Sequence, residues 1–250
     1  MTTTRHRNSI SYEVYAPYAL FTDPLTRVGG EKCSYHLPTY EALKGITESI
    51  YWKPAFIWIV DRVRVMNPIR TEAKNVKPIQ LHGVYPSKKD PNKNEAPFNS
   101  LATYTYLAKV RYQVEAHFEW NLNRPDLEDD RNENKHWAVA KRMLDKGGRR
   151  DIFLGTRECQ GYVEPCEFGQ EAGAYDDGGE VAYGLMFHGF DYPDMIGKPE
   201  LHARFWRAVL RDGVLEFPRP DHDSILRNFV REMNPHPPKS VGLKEKGLVQ

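Results

Sequence analysis

From residue 10 onward apolar and polar positions alternate, with Ile10, Tyr12 and Val14 on one side, and this period of two predicts a half-buried strand over residues 10–21. After the turn-rich segment 23–30, Pro38 marks a helix start. Leu43, Ile46 and Ile50 then recur at helical spacing until Pro54 forbids continuation. The run AFIWIVDRVRVM, residues 55–66, is dense in β-branched and aromatic residues, and Val63 and Val65 alternate with Arg62 and Arg64, which predicts a second strand. Residues 82–100 are polar and rich in Lys, Asn and Pro, so a mobile loop is expected there. A long third strand follows over 102–121, where Tyr104, Tyr106 and then Val110, Tyr112 and Val114 alternate. Asp129 or Asp130 then caps a second helix with Trp137, Ala140, Met143 and Leu144 on one face, ended by Gly147 and Gly148.

The order to this point is β-α-β-β-α. A short strand, either 151–155 or the segment after Gly161, would complete a ferredoxin-like βαββαβ unit, the frame of RNA-recognition modules. Past about residue 165 the pattern turns to strands and turns, with HARFWRAVL and VLEFP flanking the hairpin signal Asp212-Gly213. The expected fold class is therefore α+β. A ferredoxin-like, RRM-like domain fills residues 1–165, a small antiparallel β-sheet domain follows over 166–226, and 227–250, poor in apolar residues, forms a flexible tail.

Composition narrows the class. No apolar run reaches the roughly 20 residues of a membrane-spanning helix, and the start MTTTRHRNSISYEV lacks the apolar core of a signal peptide, so a cytoplasmic protein without a membrane partner is expected. Cys33, Cys159 and Cys166 are too few and too scattered for a disulfide framework or a zinc half-site. The net charge of +1 conceals opposed blocks. Residues 141–150, KRMLDKGGRR, carry five cations against Asp145, and Arg62, Arg64, Arg70, Lys74 and Lys77 form a second basic stretch, whereas 164–180 holds six acids and no Lys or Arg. The basic stretches are candidate phosphate contacts, and the acidic segment should face away from a polyanion.

Phosphate-loop, dinucleotide and HExxH motifs are all absent. Nine His without ligand spacing suggest no metal site, and a cross-strand pair of His188 and His202 would lack a third ligand. RNA offers a reaction that needs no metal. Its own 2′-hydroxyl attacks the adjacent phosphorus and expels the 5′-oxygen, and the protein supplies proton transfer, a cation and positioning. Lys135 and His136, neighbours on the second helix, bring two such groups together, and Tyr51 at the end of the first helix is a third. Taken alone, each of the three has an ordinary structural explanation as well.

The segments YALFTDPLTRVGGEK at 18–32, LPTYEALKGITESIYWKP at 37–54, YQVEAHFEWNLNRPDLEDDRNENKH at 112–136 and GGRRDIFLGTRECQGYVEPCEF at 147–168 change the weighting. Together they resemble the subtype-d (type I-C) branch of the CRISPR-associated Cas five proteins, members of the RAMP superfamily. The resemblance implies a ferredoxin-like domain with a small C-terminal β domain and metal-free cleavage of CRISPR repeat RNA, with no cofactor. It also implies that the protein stays on the 5′ handle of the crRNA. There it would join the large and backbone subunits of the type I-C interference complex, with duplex DNA a further partner within that complex. The family's catalytic tyrosine falls on Tyr51 in SIYWKP, and its Lys-His pair falls on Lys135 and His136 after the RNE motif. The superfamily's glycine-rich loop resembles Gly147, Gly148, Arg149 and Arg150, whose amides and guanidinium groups are expected to hold RNA together with Arg62, Arg64, Lys141 and Trp52. Tyr35, Tyr40 and Phe21 are further stacking candidates.

Two other readings compete. A non-catalytic scaffold that binds the crRNA 5′ handle would use the same fold without the chemistry, and retention of Tyr51, Lys135 and His136 speaks against it. A metal-dependent DNA nuclease needs converging carboxylates. The run Asp126, Glu128, Asp129 and Asp130 reads better as dipole compensation at a helix start.

Overall fold

The computed structural model describes residues 6–27, 31–77 and 101–235. The expected loop over 82–100 and the end of the expected tail lie outside them. In chain order the elements are β1 (Ile10–Ala19), β2 (Lys32–Cys33), α1 (Tyr40–Ile50), β3 (Phe56–Val65), β4 (Thr71–Val76), β5 (Ala102–Trp120), α2 (Glu133–Leu144), β6 (Ile152–Phe153) and β7 (Gln160–Pro165). They continue with β8 (Glu180–Asp191), α3 (Pro193–Ile196), β9 (Glu200–Arg211), β10 (Val214–Glu216) and β11 (Leu226–Glu232).

The ferredoxin-like core is explicit in the pairing. β1 lies between β5 and β7, β5 lies between β1 and β3, and all three pairings are antiparallel. Both α1 and α2 pack on the same side of this sheet as Tyr12 and Val14. The Tyr12 hydroxyl lies 2.8 Å from Thr47 Oγ1 on α1, and Trp137 Nε1 on α2 donates to the Ser9 carbonyl at 3.0 Å. The helical stripe predicted for α1 is the buried one, with Leu43, Ile46 and Ile50 in the core. Thr39 caps it by accepting the Ala42 amide at 3.2 Å.

The acidic run before α2 departs from expectation. Neither Asp129 nor Asp130 caps the helix. The run forms a separate 3-10 turn, Pro125–Asp130, and Asn132 takes the cap by accepting the Lys135 amide at 3.0 Å. Asp130 is thereby released for the site described below.

The C-terminal strands do not form an isolated sheet. β10 pairs with β9 across the turn at Asp212 and Gly213, whose φ angles of 44° and 75° suit the tight hairpin. It pairs with β3 on its other side, so hydrogen bonding runs continuously from the ferredoxin-like strands into β9, β8 and β11. β11 occupies residues where the sequence suggested a tail. Its side chains are exposed, and backbone pairing to β9 holds it in place without the apolar content that an independent element would need. No helix among the described residues is long and apolar enough to cross a membrane.

Candidate active site

Tyr51 follows the last residue of α1 in an extended conformation, φ −159° and ψ 131°, with its amide still bonded to the Thr47 carbonyl. Its own carbonyl accepts Trp58 Nε1 at 2.7 Å, which pins the chain as it leaves the helix toward Pro54. The Tyr51 hydroxyl lies 2.9 Å from His136 Nδ1. His136 is sealed from solvent, 0% exposed, inside a box of Phe56, Phe118 and Trp120 with ring centroids 5.2, 6.4 and 5.9 Å away.

The second ring nitrogen of His136 fixes its tautomer. Nε2 faces the Asp130 backbone carbonyl at 2.7 Å, and a carbonyl oxygen only accepts, so Nε2 carries the proton. In the neutral ring Nδ1 is then an acceptor, and the Tyr51 hydroxyl donates to it. Lys135 points the other way, exposed, with Nζ 2.5 Å from Asp130 Oδ1. The sequence makes Lys135 and His136 neighbours on one helix. In the fold only Lys135 is on the surface, and His136 bonds Tyr51, which is itself buried at 3% exposure.

Asp130 is the residue that sequence reasoning assigned to another task. Its carbonyl orients His136, its carboxylate holds Lys135, and Oδ2 lies 3.7 Å from His136 Nε2. The Lys135 hydrogen bond, opposed by some burial, holds the Asp130 carboxyl below the usual carboxylate range, and Lys53 contributes to the same effect. Burial first, then the Asp130 charge, holds the Tyr51 phenol above its ordinary range, while Lys135 and Arg149 pull the other way. At neutral pH the phenol is therefore protonated and suited to passing a proton rather than carrying a charge.

The glycine-rich segment comes to the same place by a different use of its backbone. The Gly147 and Gly148 amides bond the Leu144 and Met143 carbonyls at 2.9 Å each, with φ of 80° and 103°, and close α2. The Arg149 and Arg150 amides bond the Ser49 carbonyl at 3.1 and 3.0 Å and so cap the end of α1 beside Tyr51. The four amides expected to hold RNA are thus spent on helix ends. What remains on offer is the pair of exposed guanidinium groups of Arg149 and Arg150.

The other predicted contacts divide. Trp52, 41% exposed, stands next to Tyr51, and Lys141 is exposed with its ammonium 4.7 Å over the Trp137 ring. Arg62 and Arg64 do not join the site. Arg62 is bound to Glu115 at 2.6 Å and lies over Phe168, and Arg64 is buried against Asp176 at 2.6 Å. Alternation along a strand showed that these cations share a face, but not that carboxylates wait opposite them. Phe21 and Tyr40 are core residues, closed to base stacking, and Tyr35 is half-buried.

Among the described residues one group has ligand atoms close enough for a metal ion, His6, Asp61 and His117. It lies across the sheet from the tyrosine, because His117 and its neighbour Phe118, which packs on His136, point to opposite faces of β5. Two of its members, His117 and Asp61, already bond each other. His117 Nδ1 is 2.9 Å from Asp61, Nε2 is 3.4 Å from Glu119, and the His6 ring stacks on His117 at 3.7 Å. His188 and His202 are held by different partners, the Pro218 carbonyl at 3.0 Å and Glu200 at 3.6 Å.

A family model described as "CRISPR-associated protein (Cas_Cas5)", Cas_Cas5d, matches residues 9–218. A protein of Mannheimia succiniciproducens named "CRISPR pre-crRNA endoribonuclease Cas5d" is 28% identical over 236 residues, covering 84% of this chain and 95% of that one. A Thermus thermophilus protein of the same name is 28% identical over 243 residues, covering 87% and 95%. Among solved structures, one titled "Crystal Structure of CRISPR-associated Protein" superposes with a TM-score of 0.67 at 33% identity, over 87% of this chain and 96% of that one. A functionally uncharacterized protein from Streptococcus mutans gives a TM-score of 0.66 at 36% identity, over the same shares.

Proposed function

The chain belongs to the Cas5d family of CRISPR-associated proteins, and from that premise we propose that it is a metal-independent endoribonuclease that cuts the CRISPR repeat transcript into guide RNAs. The observation that carries the mechanism is the path Tyr51 Oη to His136 Nδ1 at 2.9 Å, with His136 Nε2 anchored on the Asp130 carbonyl. As the RNA 2′-oxygen bonds to phosphorus, its proton passes to Tyr51 Oη while Tyr51 gives its own proton to His136 Nδ1. The P–O5′ bond breaks, the 5′-oxygen takes a proton from solvent, and a 2′,3′-cyclic phosphate remains. The imidazolium formed is buried, and the Asp130 carboxylate 3.7 Å from Nε2 offsets its charge.

Lys135 supplies the cation. Its exposed ammonium, poised on Asp130, exchanges that carboxylate for a phosphate oxygen and opposes the charge growing there. Trp52, next to Tyr51 in the chain, and Arg149 and Arg150, whose amides cap α1 beside it, serve as stacking and phosphate contacts, with Lys141 a further phosphate contact along α2. In this reading residues 1–165 hold the chemistry and 166–226 supply the adjoining strands. The protein then stays on the crRNA 5′ handle as a subunit of the type I-C interference complex.

Purified protein incubated with its cognate repeat RNA in EDTA tests the reading. A single cut leaving a 2′,3′-cyclic phosphate is expected. Binding without any product, with or without divalent ions, would identify a scaffold instead.

A further inference from the structure

On the far side of Trp120 from His136 the structure holds a cavity of about 660 Å³, within the roughly 300–1,000 Å³ typical of ligand pockets. It opens between α1, the strand ends of β3 and β5, and the C-terminal strands β8, β9 and β11. Two buried cations on its wall are incompletely partnered. Lys44 lies on the core face of α1 with its side chain 4% exposed, yet its nearest polar neighbours are the Met195 sulfur at 3.4 Å and Glu48 at 3.8 Å. An ammonium has three donors to satisfy, and those two neighbours leave it short. Arg204 is 3% exposed and bonds Asp191 at 2.7 Å, while its buried Nε has no partner.

The rest of the wall suits a flat ring. Trp120 forms the side shared with the active site, and Phe229, 59% exposed on β11, stands against His202 at 5.7 Å. Four acids line the cavity too, each beside a basic group: Asp191 with Arg204 and Arg227, Glu119 and Asp221 with Arg219, and Glu200 with His202.

We propose that this cavity takes one nucleotide of the RNA strand flanking the cut, its base against Trp120 and Phe229 and its phosphate toward Lys44 and Arg204. The inference rests on the endoribonuclease reading and adds a specificity subsite to it. A strand held by Lys135 on one side of Trp120 and anchored in the cavity on the other would be fixed in register at the scissile bond. A free nucleoside monophosphate offers the same chemistry, so the test must separate the two sources.

The experiment is an abasic scan of the repeat RNA around the cut, with affinities measured for wild type, Phe229→Ala and Lys44→Met. One abasic position should weaken wild-type binding by roughly five- to a hundredfold, as loss of one stacked base does. The same position should cost Phe229→Ala little more, because the contact is already gone. Phe229 is on the surface, so that arm stays readable even if Lys44→Met disturbs folding. Equal losses in wild type and Phe229→Ala at every position would overturn the subsite while leaving cleavage, and the function, intact. Saturable binding of 5′-AMP that is lost in Phe229→Ala and does not compete with RNA would also overturn it, in favour of a free nucleotide. If wild type neither binds nor cuts repeat RNA, the endoribonuclease reading falls and takes the subsite with it.

Discussion

Two histidines, His136 and His188, are both 0% exposed and both ringed by aromatic side chains, yet their surroundings prepare them for different work. His136 sits under α2 with both nitrogens engaged, one by the Tyr51 hydroxyl and one by a carbonyl that fixes the tautomer. The proton path proposed for it ends at Tyr51, with the exposed Lys135 nearby. His188 on β8 stacks on Tyr40 at 4.1 Å, bonds the Pro218 carbonyl through Nε2, and leaves Nδ1 without a partner. Burial first, then the nearby Arg204, Arg227 and Lys44 charges, outweigh that carbonyl and pull the His188 pKa down to about 3. In the proposed mechanism, what separates the histidine assigned to proton transfer from the packing one is what each nitrogen faces. Burial alone does not distinguish them.

The sharpest way to break the comparison is to remove each ring. His136→Ala should slow single-turnover cleavage by roughly a hundred- to ten-thousandfold, as loss of proton transfer does, with RNA affinity little changed. Tyr51→Phe, which keeps the ring and removes the hydroxyl, should fall in the same range. His188→Ala should lower the melting temperature and leave the cleavage rate of the folded protein at the wild-type value. Equal rate losses in the two histidine variants would mean that the distinction is wrong.

The second test uses pH. The unfolded chain binds a proton on His188 near pH 6.5, whereas the folded protein resists it until about pH 3. The stability due to a neutral His188 is thus complete above the unfolded value and is lost as pH falls through this window, at up to about 1.4 kcal/mol per pH unit. Urea melts of wild type and His188→Leu from pH 7 to pH 4 should show a shallower acid loss in the variant. Parallel curves would place the acid sensitivity elsewhere.

A smaller effect is expected at the rim of the site. Arg149→Ala with Arg150→Ala should weaken RNA binding and reduce the salt slope by roughly 0.7 per lost phosphate contact, with folding retained because only their backbone amides cap α1. An unchanged salt slope would make these arginines a solvated face. Smallest of all, Asp130→Asn should change cleavage by no more than a few fold. The carbonyl that orients His136 survives that substitution; what is lost is the Lys135 partner and a carboxylate 3.7 Å from Nε2 that balances the imidazolium only in part. A loss as large as that of His136→Ala would show that the carboxylate is essential to balance the imidazolium.

Much of this was legible in the chain because local rules and tertiary packing agree. The alternation in β1 and β5, the apolar stripe of α1 and the turn at Asp212-Gly213 all appear where their patterns put them. The resemblance named the residues of the candidate site, but where the fold puts each of them was not legible. Lys135 and His136 are neighbours in sequence, and only the packing of α2 against Phe56 and Phe118 shows that one is outside and the other sealed. Asp130 looked like a cap because a carboxylate before a helix usually is one, and Asn132, two residues on, took that role. Arg62 and Arg64 misled for a related reason. Glu115 and Asp176, which neutralise them, are distant in sequence and adjacent only across the sheet and the loop after β7.

The claim on which the rest depends is that the RNA supplies its own nucleophile to the Tyr51-His136 path. Replacing the 2′-hydroxyl with hydrogen at the single nucleotide before the cut tests it, with affinity and single-turnover cleavage measured in EDTA on the same strand. The account predicts unchanged affinity and no product from the deoxy strand, against full cleavage of the unmodified one. Cleavage of the deoxy strand at a comparable rate would contradict it.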